Sequence, residues 1–194
     1  MKPRIPALLT CLGLAATLLL LTPWRAAAQN EEGARIVGLG VKLEGGQLLI
    51  GFQLVGGFDE ELQKRIDSGL PTSLVFELEL ARARRSFFDK SVAAGELRVI
   101  AMYNALTREY LVNFKHDGNL IGSKVVRDPA ELRKVMTEIS ELPAFTIGER
   151  SREERLQLRV RAELGTGTIF FFIPHTLRTN WTETASFRLR DLAG

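Results

Sequence analysis

Apolar and polar positions change period several times along this chain, and each change predicts an element. Residues 35–44 and 47–55 are two apolar-rich runs joined across Gly45 and Gly46, a pair suited to a tight β-hairpin. A short helix follows. Asp59 can cap it, Glu60 and Glu61 favour the positive end of its dipole, Leu62 and Ile66 make a narrow apolar stripe, and Gly69 with Pro71 stops it. Residues 72–85 then alternate, with Leu74, Phe76, Leu78 and Leu80 on one face and Glu77 and Glu79 on the other. Segments 97–104, 109–115 and 120–126 alternate in the same way, with turn residues between them, and predict a three-stranded antiparallel meander.

A second helix is predicted from Asp128. Pro129 stands in its first turn, Glu131 lies three residues after the cap, and Leu132, Val135, Met136 and Ile139 recur at threes and fours up to Pro143, which should end it. From 154 to 164 the period returns to two, with Leu156, Leu158, Val160, Ala162 and Leu164 facing inward and Arg159 and Arg161 outward. Residues 169–173 form a continuous apolar run that reads either as a central strand or as the wall of an apolar pocket, and 186–192 reads as a last strand. Eight or nine strands with two helices predict a mainly β chain. An antiparallel β-sandwich-like domain with two peripheral α-helices fits best, and an α+β fold on a single antiparallel sheet is the alternative.

The amino-terminal residues do not belong to that pattern. Met1 to Arg4 is basic, residues 5–21 are apolar, and Ala26 to Ala28 offers an A-x-A cleavage site, so residues 1–28 read as a signal peptide and 29–194 as one β-rich domain. An uncleaved anchor is the rival reading, although 17 residues is at the short limit for spanning a bilayer. The domain is expected outside the cytoplasm, in the periplasm, with membrane contact only if that segment is retained. Its three cations, Lys2, Arg4 and Arg25, equal the whole formal excess of +3, and no acid precedes Glu31. The domain is therefore neutral, which argues against a nucleic-acid partner. Cys11 is the sole cysteine and lies in the same segment, so the domain has no disulfide and no thiolate metal site.

Candidate chemistry is sparse. Glu77 and Glu79 share a strand face, as paired carboxylates for acid–base work or cation binding would. The simpler reading is a solvent face bridged to Arg159 and Arg161, which have the same spacing and opposite charge. His116 sits beside Asp117 in a turn, and His175 follows Pro174; two distant histidines make a poor zinc set, and no G-x-S-x-G elbow or phosphate loop is present. No catalytic residue, metal site or cofactor is predicted. Trp181, ahead of Phe187 and Leu189, reads as a core anchor. Asn104, Thr107, Arg108 and Tyr110 fall in one hairpin loop, where they either form a polar recognition surface or cap the turn through Asn104 and Thr107.

Several of these stretches together resemble DUF4390, a family of uncharacterised exported bacterial proteins. The resemblance rests on Leu54 and the helix running into Ile66, Asp67, Ser68, Gly69, Leu70 and Pro71. It continues in Phe76, Glu77 and Leu78 with the basic run Arg82 to Arg85, in Tyr103, Asn104, Ala105, Leu106, Thr107, Arg108, Glu109 and Tyr110, and in Trp181 before Phe187, Arg188 and Leu189. Phe87, Phe88 and Asp89 depart from it where a tryptophan is expected before the acid. The resemblance implies bacterial export and a genomic setting near a membrane sensor kinase, and it assigns no activity. The functional expectation is a non-enzymatic interaction or adaptor domain of the cell envelope whose partner is an envelope or membrane protein. An envelope hydrolase using acidic residues and a carrier of an apolar ligand are the alternatives, and the oligomeric state is left open.

Overall fold

The computed structural model describes residues 33–83, 90–147, 154–169 and 173–192. In chain order these form β1 (Arg35–Glu44), β2 (Gln47–Val55), α1 (Glu60–Asp67), β3 (Thr72–Arg82), β4 (Lys90–Asn104), β5 (Glu109–His116) and β6 (Asn119–Val126). They continue with α2 (Pro129–Thr137), β7 (Glu138–Thr146), β8 (Leu156–Ile169), β9 (Ile173–Arg178), β10 (Thr182–Glu183) and a 3-10 turn at Leu189–Asp191. The smaller sheet has the order β1-β2-β7; the larger has the order β10-β8-β3-β4-β5-β6, with β9 also pairing with β8. Every strand pair is antiparallel. Among the described residues no helix is long and apolar enough to cross a membrane.

Period-two patterning decides what each sheet buries. Leu48, Ile50, Phe52 and Leu54 of β2 face Leu74, Phe76, Leu78 and Leu80 of β3, joined by Leu97, Val99 and Ala101 of β4 and by Leu156, Leu158, Val160 and Ala162 of β8. The rings of Phe52 and Phe76 meet edge-on across the two sheets at 5.0 Å. Each valine, leucine, isoleucine or phenylalanine among them contributes about 1.5–3 kcal/mol by leaving water, so this shared core is what makes the fold a sandwich-like pair of sheets and excludes the single-sheet alternative.

Local signals set the turns and helix starts as expected. Gly45 and Gly46 adopt φ of 56° and 79°, the left-handed pair that a two-residue hairpin needs. Asp59 Oδ1 accepts from Leu62 N at 2.7 Å, and Asp128 Oδ1 accepts from Ala130 N at 2.6 Å and Glu131 N at 3.2 Å. Leu62 and Ile66 bury one face of α1; Leu132 and Met136 do the same for α2.

Two expectations are corrected. Helix α2 ends at Thr137, and the chain passes straight into β7, which pairs with β2 from Glu138↔Gln53 to Thr146↔Gln47. Ile139 therefore continues the core as a strand residue, and Pro143 sits inside an edge strand, where a missing N–H is tolerated. Of the apolar run at 169–173 only the ends are described: Ile169 closes β8, Ile173 opens β9, and these two strands pair antiparallel. Phe170 to Phe172 lie outside the described residues, as do Phe87, Phe88 and the whole of residues 1–32 with Cys11. The expected last strand is reduced to one bridge, Phe187 with Leu156, followed by the 3-10 turn that buries Leu189.

Candidate functional site

Strands β3 and β8 are neighbours, and their register puts Glu77 opposite Arg161 and Glu79 opposite Arg159. Leu78 and Val160 point into the core, so alternation turns these four charges to the outer face. Glu77 Oε2 accepts from Arg161 Nε at 3.0 Å and Nη2 at 2.6 Å. Arg178, on β9, adds its Nε at 3.3 Å from Glu77 Oε1 and donates to Glu163 Oε2 from Nη2 at 3.1 Å. Arg159 Nε lies 2.9 Å from Glu183 Oε1 of β10. The guanidinium of Arg161 stacks over Trp181, 4.3 Å from the ring centroid. Trp181 is thus half-buried on the outer face, closing over an arginine, and is not the core anchor its surroundings in the sequence implied. The reason is positional: it stands just before β10, at the sheet edge beside Arg161.

The result is an ion ladder of arginines and glutamates spanning β3, β8, β9 and β10. Glu77 is 28% exposed and Arg161 24%, so water screens the pair only partly. With one oxygen facing Arg161 and the other facing Arg178, the Glu77 carboxylate has little room left to take a cation. Arg178, Glu163 and Glu183 were not expected in this cluster. Their signal in the sequence was their charge, but only the β8–β9 and β8–β10 pairings show which acids and bases meet.

The second group lies at the turn end of β4 and β5, in the hairpin that joins them. Asn104 Oδ1 accepts from Leu106 N at 3.0 Å and from Thr107 N at 3.4 Å, while Arg108 N donates to Asn104 O at 2.8 Å. Arg108 completes the turn in the left-handed region at φ 57°. Asn104 is therefore a turn cap, and Thr107 takes part through its backbone. Tyr110 is buried, packs against the Tyr103 ring at 4.9 Å, and donates its hydroxyl to Asp67 Oδ1 of α1 at 2.7 Å. Burial first, then that bond and the charge of Asp67, push the tyrosine pKa up to about 12. The hairpin is tied in this way to the carboxyl end of α1. The turn so fixed carries Leu106 at its tip, 96% exposed, a feature the sequence reading passed over. Leu70 is also exposed, in the neighbouring α1–β3 turn, where Gly69 lies close to the Tyr103 carbonyl.

His116 ends β5, its Nε2 3.7 Å from Asp117 Oδ2. An open trough of about 600 Å³ crosses the outer face of the smaller sheet over Gly38, Gly40 and Gly51, and none of the expected site residues lines it.

Two antiparallel sheets around one core, with two short helices and an outer ion ladder, define a β-sandwich-like domain. The chain belongs to the family described as a domain of unknown function, DUF4390, whose profile matches residues 31–184. No curated protein and no solved structure matches it.

Proposed function

We propose that this protein is a non-enzymatic interaction domain of the bacterial cell envelope, exported by residues 1–28 and bound to an envelope or membrane protein through the Asn104–Arg108 turn. The observation that carries the reading is Leu106, held at the tip of a turn that Asn104, the left-handed Arg108 and the Tyr110–Asp67 bond all fix. A single exposed leucine is common on any surface. A rigid loop presenting one, with Arg108 beside it and Leu70 on the adjoining turn, loses little entropy on docking into a partner's pocket. The alternative of acid catalysis draws on Glu77 and Glu79, and Glu77 is already held by two arginines.

The test is a photo-crosslinking residue at position 106 and, as control, at the exposed Gln47, with the protein expressed in its own envelope. A discrete adduct at 106, absent at 47 and lost on Arg108→Glu, supports the reading. Equal labelling at both positions sinks it. Mass analysis of the mature protein tests the export step, with an amino terminus at Gln29 expected.

A further inference from the structure

Strands β3 and β8 separate at one end of the larger sheet. Their pairing stops at Val75 and Glu163. The backbone of Ala162 is turned away from β3, since its N–H donates to Thr179 Oγ1 at 3.0 Å and its C=O accepts from Thr179 N at 2.9 Å. Antiparallel ladders alternate bonded and unbonded pairs, so Val75 and Glu163 are a bonded pair, and Val75 directs its N–H and C=O at β8. Ser73, two residues earlier on β3, directs its own groups to the same side, where β8 has already left. The departure is fixed by the chain: the β8–β9 register shifts between Glu163 and Gly165, Gly165 takes a φ of 127°, and Leu164 packs against Gly57.

The fork opens a cleft of about 300 Å³, walled by Arg65 of α1, Ser73, Arg98 of β4 and Glu163. Two of its charges are already answered. Arg98 turns Nε and Nη2 to Glu96 Oε1, at 3.1 and 2.8 Å, and Glu163 Oε2 accepts from Arg178 Nη2 at 3.1 Å. Arg65 is exposed and has no ion pair among the described residues, although Lys64 beside it holds Glu60 at 3.1 Å and Glu61 stands one turn before it. The uncompensated charge of the cleft walls is therefore the single positive charge of Arg65.

We infer that this fork binds the carboxyl-terminal residue of a polypeptide. Such a residue replaces the missing strand partner of Ser73: its N–H donates to the Ser73 C=O, and one carboxylate oxygen accepts from the Ser73 N–H, as in a bonded antiparallel pair. The carboxylate then lies against Arg65 in a charge-assisted contact. One negative charge matches the one left over, whereas a phosphate dianion would set its second charge against Glu163. A simple acid without an N–H leaves the Ser73 carbonyl unanswered. The inference is independent of the proposed partner at Leu106.

The test follows backbone amide signals of the isotope-labelled full chain by nuclear magnetic resonance. N-acetylalanine, the smallest probe with both groups, is expected to shift the Ser73 amide saturably at about 1 mM. Its neutral amide and propionate, which lack the charge and the N–H respectively, are each expected to bind at least about tenfold more weakly. Arg65→Gln is expected to weaken N-acetylalanine by a similar factor and, because Arg65 is exposed, to leave the melting temperature unchanged. No shift at Ser73 with about 10 mM probe, equal binding of N-acetylalanine by Arg65→Gln, or equal binding of the amide or propionate overturns the inference. Tighter binding of inorganic phosphate than of N-acetylalanine overturns it too, whatever position 106 binds.

Discussion

Replacing Glu77 with alanine is the most direct probe of how the outer face of the larger sheet is held together. The carboxylate receives Arg161 at 2.6 Å and 3.0 Å and Arg178 at 3.3 Å, with Glu77 and Arg161 each about a quarter exposed. Fully exposed pairs contribute roughly 0–1 kcal/mol, and stranding one member of a buried pair costs about 3–5 kcal/mol. Arg178 keeps Glu163 after the change, whereas Arg161 keeps only the Trp181 face, so the loss should come mainly from one half-shielded guanidinium. A destabilisation of about 1–2 kcal/mol follows. For a domain of this size that lowers the melting temperature by roughly 2–8 °C. Urea unfolding of Glu77→Ala, Arg161→Ala and the double variant isolates the coupling, expected near 1 kcal/mol. A single-variant loss under about 0.3 kcal/mol with no coupling would refute the reasoning, since it would mean that solvent screens the ladder as it does any surface pair.

Gly57→Ala should destabilise by about 1–3 kcal/mol, because a Cβ there would stand 2.5 Å from Leu54 Cδ2 and 2.9 Å from Leu164 Cδ2; thermal melting checks it, and an unchanged midpoint would mean the packing yields freely. Tyr110 ionises near 10 when unfolded and near 12 when folded. Its contribution is thus complete below pH 10 and fades as pH rises from 10 to 12, by on the order of 2–3 kcal/mol. Denaturant midpoints at the two ends of that range should fall further for the wild type than for Tyr110→Phe, and parallel falls would contradict the assignment. Asp128→Ala removes the cap of α2 and should cost about 1 kcal/mol, read as an earlier urea midpoint with an unchanged slope.

Elements written by local period were legible in the sequence. Strand β3 could be read to the face, because Leu74, Phe76, Leu78 and Leu80 leave no second interpretation, and both helix starts were announced by Asp59 and Asp128. Strand β7 was not legible. Ile139 continues the helical spacing of Met136, and only the open edge of β2 pulls the chain into extended form at Glu138. Trp181 was misplaced for a related reason: an aromatic beside apolar neighbours reads as core, and nothing local says that Arg161 lies beneath it. The matching of Glu77 with Arg161 could be guessed from equal spacing, whereas the entry of Arg178 and Glu183 depended on β9 and β10 folding back along β8.

Strand β8 joins β3 on one side and β9 and β10 on the other, although Arg161 and its partner Glu77 are 84 positions apart. Until the last quarter of the chain is in place, β3 has an unfilled edge and the core lacks Leu156, Leu158, Val160 and Ala162. Closing so distant a pair carries an entropic barrier that local hairpins do not face. The meander of β4, β5 and β6 can form early, but the sandwich completes only when the carboxyl-terminal strands arrive. A chain that finishes folding this late stays threadable for most of its emergence, and a truncation anywhere before Leu156 should leave it sticky and protease-sensitive.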